Sequence, residues 1–522
     1  MRDSMMRSVW IAPACLAAAA LSAQTQRLGT IDFPTSAPPA AQAPFIRGVL
    51  LLHSFEYQDA ARAFREAQRI DPGFALAYWG EALTYTHPLW NEQDGNAARA
   101  VLQRLGPTPD ARRAKAPTPR ERAYLNTVEI LYADGSKAQR DTAYSHAMKR
   151  LVARFPADRE AQVFYAASLL GLSQGERNVP TYMRAAAIVE RVFRANADHP
   201  GAAHLLIHCY DDPTHARLGL PAARAYSKIA PDAAHAQHMT THIFLALGMW
   251  DEVVSQNEIA SGRDPATWAP NHYTQWLGYG YLQQGRYGEA LRHLERMRQN
   301  ADWTTGHGLA LLAQMRADYV INTERWDSPS LQWRIDLTQA RSRARAAEAF
   351  VAAFSALKGG DRAAANSART DLTALNRTPP APETGYVDPV PAILDKELGA
   401  AFRQADGDLD GAVALMREAV SLEDAMPVEF GPPGDLKPAH ELLGEILREA
   451  GRPREAQRQF ARALQLAPKR ALSLLGLGRA AVAAGDRATA ARAYGDLREI
   501  WHRADTNLPA LAEAARVLAA RP

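Results

Sequence analysis

Apolar residues recur along the chain at helical spacing and are punctuated by glycine turns and proline stops. In the C-terminal part, Leu443-Gly444 is followed by Leu447, Gly451, Ala456, Phe460, Ala463 and Pro468. That order predicts one helix, a glycine turn, a second helix with its apolar side chains on one face, and a stop. The next stretch repeats it as Leu477-Gly478, Ala481, Gly485, Ala490, Tyr494 and Leu497, and Gly451 to Gly485 is 34 residues. Near the start, Gly48, Tyr57, Ala60, Phe64, Ala67 and Pro72 stand in the same order. In the middle, Phe244, Gly248, Trp250 and Pro265 do so, followed by Leu277-Gly278, Tyr281, Gly285, Tyr287 and Ala290. Small residues let two helices approach closely and large ones fill the neighbour's groove. The pattern predicts an all-α chain of helical hairpins.

A helix-turn-helix unit of 34 residues with these small and large positions resembles the tetratricopeptide repeat (TPR), and roughly two-thirds of the chain carries the pattern. The resemblance implies a helical-hairpin solenoid wound as a right-handed superhelix. It also implies that the first helix of each repeat lines the concave face, with its second, fifth, ninth, twelfth and thirteenth positions directed into the groove. The array breaks at 106–121 and again at 376–393, where five prolines fall in 18 residues. The expected organisation is a Pro/Ala-rich flexible lead-in at 24–43, an N-terminal solenoid at 44–375, a Pro-rich linker at 376–392 and a C-terminal array at 393–522. Residues 426–438, with Pro427, Pro432 and Pro433, read as a loop within the second array, and the run Phe430 to Gly434 as one that can close over a groove.

Composition narrows the functional classes. The 522 residues hold 60 Lys plus Arg against 57 Asp plus Glu, a net charge of +3. Eight of those cations are Lys and 52 are Arg, scattered among acidic residues. No basic face for nucleic acid is expected from that distribution. With 47% hydrophobic and 22% charged residues the chain is expected to fold rather than remain disordered. Two cysteines exclude a disulfide scaffold and a four-cysteine zinc module. Residues 1–23 read as a secretory signal peptide: Arg2 and Arg7, an apolar run at 9–21, then Leu21-Ser22-Ala23. The expected location is therefore a bacterial periplasm or the exterior. Removal of that segment takes Cys15 with it and leaves Cys209, read as buried and inert. No other run is long and apolar enough to predict a membrane span.

The histidines are concentrated. An even spread of 15 over 522 residues would place about 1.3 in a 44-residue window, and the window 199–242 holds seven. His204/His208 and His238/His242 are i, i+4 pairs, so each pair shares a helical face. The two pairs are 34 residues apart, as are Pro231 and Pro265, so they occupy equivalent places in consecutive repeats. Under the TPR resemblance these are the fifth and ninth positions of the first helix. His235 and His272 fall at second positions, and Asp211 at a twelfth. Adjacent helices pack about 8–10 Å apart, a gap that inward-facing imidazoles can bridge through a metal ion. The expected site is a transition-metal ion (Cu, Zn or Fe) on His204, His208, His238 and His242. His235, His272 and Asp211 are further candidates. So are His53, at a thirteenth position, and Glu81, a carboxylate where the repeat normally takes Leu.

No His-Glu-x-x-His, Walker or G-x-G-x-x-G dinucleotide-binding motif is present in the sequence, and Gly-x-Ser-x-Gly occurs once, at 171–175. A serine or cysteine hydrolase is not expected. Two functions remain in view. One is a metal-dependent protein, an oxidoreductase or hydrolase on a small molecule if a coordination position is open. The other is an interaction scaffold that binds a peptide or envelope protein along the groove.

Overall fold

The computed structural model describes residues 26–173, 177–263, 269–303, 306–376, 387–427 and 430–519. Among these residues it contains 25 α-helices and a single two-stranded antiparallel ribbon, Thr86–His87 with Glu92–Gln93. The expected signal peptide at 1–23 and most of the expected linker lie outside the described residues. No helix among the described residues is long and apolar enough to cross a membrane.

Successive helices fold back on one another as hairpins. Pro39–His53 pairs with Tyr57–Ile70, Pro200–Tyr210 with Ala216–Ile229, Ala234–Ala246 with Trp250–Arg263, and His272–Gln283 with Tyr287–Gln299. Ala439–Glu449 with Pro453–Leu466, and Ala471–Ala483 with Arg487–Ile500, complete the clearest units. Their packing follows from the small and large positions of the sequence. Phe64 is fully buried between two helices whose approaching residues are Gly48 and Gly80, where an added Cβ would sit 2.6 and 2.4 Å from the ring. Phe460 is held in the same way between Gly444 and Gly476, at 2.9 and 2.2 Å. Burying a phenyl ring this completely contributes about 2–3 kcal/mol, and only glycine leaves room for it. The chain is an all-α, TPR-type solenoid.

Two further parts of the sequence reading meet the structure here. The described part of the expected lead-in, 26–43, is not a flexible tether. Leu28 and Phe33 are buried, and Phe33 packs against Phe45, Trp79 and Tyr124 with ring centroids 5.2, 5.9 and 5.0 Å away. Thr30 adds a backbone hydrogen bond of 2.9 Å to Asp198. Two large apolar side chains in a Pro/Ala-rich stretch are enough to fasten it to the first hairpins. The break at 106–121 holds a short helix, Pro109–Ala114, and ends in a capping box in which Thr118 and Glu121 start the helix Pro119–Leu131.

The C-terminal helices return to the middle of the chain. The Trp250 indole N–H donates to the carbonyl of Lys469 at 3.0 Å, and Ala471 N–H to Gln283 Oε1 at 2.9 Å. Trp501 donates to the carbonyl of Gln283 at 3.0 Å. Arg470 is fully buried, pairs twice with Glu441 at 2.8 and 3.1 Å, and donates to Tyr279 Oη at 2.9 Å. Burial opposes ionisation of Glu441, but Arg470 and Lys437 hold it at about 2. The C-terminal helices and the middle of the chain thus share one wall, and the histidine-bearing helices lie beside it.

Candidate metal centre

Three consecutive first helices supply the site. Pro200–Tyr210 carries His204 and His208, Ala234–Ala246 carries His235, His238 and His242, and His272–Gln283 begins with His272. Each i, i+4 pair sits on one face, and the 34-residue period sets the second pair beside the first. His208 and His242 face each other with ring centroids 5.4 Å apart; His204 and His235 are 5.0 Å apart, and His238 and His272 4.5 Å. Two groups result, His204/His208/His235 and His238/His242/His272, and within each group one nitrogen from every ring lies within 4.8 Å of the others. His208, His242 and Asp211 form a third such group across the seam.

The Nδ1 side of these rings is fastened to the protein. His204 Nδ1 donates to the carbonyl of His53 at 2.6 Å, and His238 Nδ1 to Asn257 Oδ1 at 2.7 Å. Asn257 in turn donates to the carbonyl of Val253 at 3.0 Å, which fixes its oxygen toward the imidazole. His242 Nδ1 donates to Asp211 Oδ2 at 2.9 Å, and the same oxygen lies 3.4 Å from His208 Nδ1. His235 Nδ1 is 2.9 Å from Tyr273 Oη. A carbonyl, an amide oxygen and a carboxylate can only accept. The proton of His204, His238 and His242 is therefore on Nδ1, and Nε2 presents a lone pair.

The lone pairs of His238 and His242 are enclosed and unused. The Nε2 atoms of His208, His238 and His242 are buried with no hydrogen-bond partner among the described residues. His204 Nε2 faces His235 Nε2 at 3.3 Å. A buried polar atom without a partner costs about 1–3 kcal/mol. Burial pushes His204, His235 and His238 well below the ordinary imidazole range and His272 to about 3. His242 is also lowered by burial, although Asp211 opposes the shift. Burial disfavours the charge on Asp211, yet the Arg177 guanidinium and the two imidazoles keep it well below the usual carboxylate range. The cluster is thus a set of imidazole donors oriented by a surrounding shell of acceptors.

The aromatic positions close the box. Trp276 lies 4.5 Å from His242, and Tyr273 stacks on His238 at 4.4 Å. Phe55 packs on His204 at 4.3 Å, and Trp90 reaches within 6.2 Å of His235. Phe430 stacks on His242 at 5.0 Å. The described part of the proline-rich loop therefore covers His242 and reaches the edge of His272. A cleft of about 390 Å³ lined by Asp211, Trp250, Tyr279 and Phe430 opens beside the covered site.

Not every expected residue joins the centre. Glu81 stands apart: Arg65 and Gln68 each donate to it at 2.7 Å and Arg104 adds a further ion pair, so both oxygens are already held by the helices before and after its own. Its carboxylate replaces the usual Leu because three neighbouring donors offset its burial. The His53 ring turns away from the cluster and meets Glu160 at 2.7 Å, while His199 meets the other oxygen of Glu160 at 2.9 Å. Only the carbonyl of His53 serves the site. Burial opposes ionisation of Glu160, but the two imidazoles hold it at about 2. Cys209 is buried, and burial pushes its thiol up. Sequence reasoning missed Asn257 and Arg177. Asn257 had a signal, since it falls on the apolar stripe of Val253, Val254 and Ala260 in the second helix of its repeat. Arg177 stands 34 residues before Asp211, a spacing that points to it only once Asp211 is known to need a partner.

No family model and no curated protein matches the chain. Solved structures do resemble it. The Cut9-Hcn1 hetero-tetramer of the APC/C is 11% identical, with 94% of this chain and 78% of that one covered and a TM-score of 0.34. The human IFIT1 dimer with PPP-AAAA is 12% identical, with 92% of each chain covered and a TM-score of 0.37. Yeast Tom70 is 12% identical, with 91% and 95% covered and a TM-score of 0.29. Likeness at that level carries no functional argument. The repeats themselves, with Phe64 and Phe460 each seated between two glycines, give the chain an all-α fold of repeated helical hairpins.

Proposed function

We propose that this chain is an exported TPR-type solenoid whose concave face holds a transition metal on histidine, with His204, His208, His238 and His242 as ligands, joined by His235 and His272. The observation that carries the reading is the trio of buried, unpartnered Nε2 atoms on His208, His238 and His242, each on a ring whose Nδ1 lies against a protein acceptor. A histidine kept for packing alone would have both nitrogens satisfied. Imidazole donors suit Cu, Zn or Fe. A bound metal would supply Lewis acidity or electron transfer, and the protein's own part is to hold the rings and exclude water with Phe430 and Trp276. The cleft beside Phe430 suits a small molecule, which favours a metal-dependent enzyme over a closed storage site.

The scaffold reading is weakened by burial. Each of the four core histidines is at most 4% exposed, so a peptide lying in the groove would meet the aromatic cover rather than the imidazoles. Elemental analysis of the protein exported by its own signal, purified without a His tag or chelator, tests the proposal. One or two equivalents of Cu, Zn or Fe, lost when the four histidines are replaced, is the expected result. A protein that stays metal-free after dialysis against each ion returns the groove to a binding role.

A further inference from the structure

We infer that the six histidines form two three-coordinate half-sites holding a pair of monovalent copper ions side by side; this rests on the metal centre proposed above. The repeat builds the half-site twice. A His-x-x-x-His pair on one first helix is completed by the histidine near the start of the next: His204/His208 by His235, and His238/His242 by His272. The pairs are offset by 34 residues and the completing histidines by 37, so the extra three residues fall in the connection before His272. The two triads share no residue, and in each the nitrogens lie within 4.8 Å of one another. Three nitrogens at about 2 Å from one ion in a plane stand roughly 3.5 Å apart, so a small contraction of each triad closes it on an ion. Six rings crowded round one ion would need several to abandon their Nδ1 partners.

Asp211 is the bracket between the halves rather than a donor. Its Oδ2 holds one ring from each triad, at 2.9 Å to His242 and 3.4 Å to His208, and its Oδ1 is paired with Arg177. That leaves imidazole as the donor chemistry, and charge then selects the ion. Among the described residues, the carboxylates touching the six are Asp211 and Glu56, the latter accepting from His235 N–H at 2.9 Å. Arg177 is shared between Asp211 and the buried Asp212, so these three carboxylates and one guanidinium leave two negative charges beside the site. Two divalent ions would exceed that charge by two inside a covered box, and two monovalent ions would match it. Uncompensated buried charge is expensive. Copper is the first-row metal that binds imidazole and is stable as a monovalent ion with three ligands.

The test is an anaerobic titration of the chelator-stripped full-length protein with Cu(I) against a chromophoric Cu(I) chelator, alongside parallel titrations with Zn(II) and Co(II). Wild type is expected to bind two equivalents of Cu(I). His204→Gln with His208→Gln, and separately His238→Gln with His242→Gln, are each expected to retain one. X-ray absorption of the doubly loaded protein should give three nitrogen neighbours per copper. One equivalent in wild type, abolished by either double variant, overturns the pair and leaves a mononuclear centre. Two equivalents of Zn(II) with none of Cu(I) overturns the monovalent assignment. No binding of any of the three ions overturns the metal centre itself and this inference with it. The wild-type stoichiometry decides the question even where a variant fails to fold.

Discussion

Asp211 Oδ2 accepts a 2.9 Å hydrogen bond from His242 Nδ1 across the seam between two successive repeats. The carboxylate fixes the tautomer that points Nε2 inward, and its charge raises the basicity of that nitrogen. Asp211→Asn removes the charge and can offer an N–H where an acceptor is needed. Metal affinity is expected to fall about 10- to 100-fold, with the stoichiometry unchanged. Competition against a chelator of known affinity measures it, and wild-type affinity would make Asp211 a bystander.

Stability should separate ligands from packing residues. A metal present at a thousandfold excess over its Kd stabilises the folded chain by about 4 kcal/mol, and His208→Ala or His242→Ala should forfeit much of that. In chelator the same variants should melt close to wild type. The space left by the ring is a cost, but a buried nitrogen without a partner is removed with it. Differential scanning calorimetry with metal and with chelator makes the comparison. Equal losses under both conditions would show that these rings serve the core.

The cover can be loosened at one atom. Gly431 has φ +100°, and a Cβ there would lie 2.7 Å from Trp276 Cζ2. Gly431→Ala is therefore expected to push the Phe430 segment off His242 and Trp276. Metal release to an external chelator, followed by stopped flow, should quicken several-fold while the melting temperature barely moves. An unchanged release rate would mean that ions enter by another face.

Asp318 gives the clearest dependence on pH. It is buried, its Oδ2 has no hydrogen-bond partner among the described residues, and burial raises it from the ordinary 3.8 to about 7. A carboxyl whose folded value is raised stabilises below the unfolded value and loses that contribution as pH climbs through the folded one. Between about pH 4 and pH 7 the native state should lose on the order of 4 kcal/mol from this group. Asp318→Asn is expected to be the more stable protein at pH 8, with the advantage gone near pH 4. Urea unfolding at the two pH values checks the sign.

Much of this architecture was readable in the sequence because repeats announce themselves by period. Gly48, Phe64, Gly444 and Phe460 stand in the pattern as they pack in the molecule, and the 34-residue spacing placed His204 and His208 beside His238 and His242. Period says nothing about what a groove is filled with. The burial of the histidines depends on Phe55, Trp90 and Phe430, which come from distant stretches with no repeat relation to the site. Composition likewise misjudged the lead-in, where two residues, Leu28 and Phe33, outweigh the surrounding Pro and Ala. Glu81 shows the limit from the other side. A carboxylate in an apolar position does signal a partner, and the sequence could not distinguish a metal from Arg65 and Arg104.

Most solenoids behave as one-dimensional stacks in which each unit answers only to its neighbours, so they can fray from an end. The indole of Trp501 hydrogen-bonds to Gln283, 218 residues earlier in the chain. That contact acts as a buckle on a belt: it ties the final hairpins to the middle of the array, and a long loop must close before they gain anything by ordering. Disturbance at the C-terminal end is consequently felt at the wall beside the histidines, which makes the last helices part of what keeps the six rings in register.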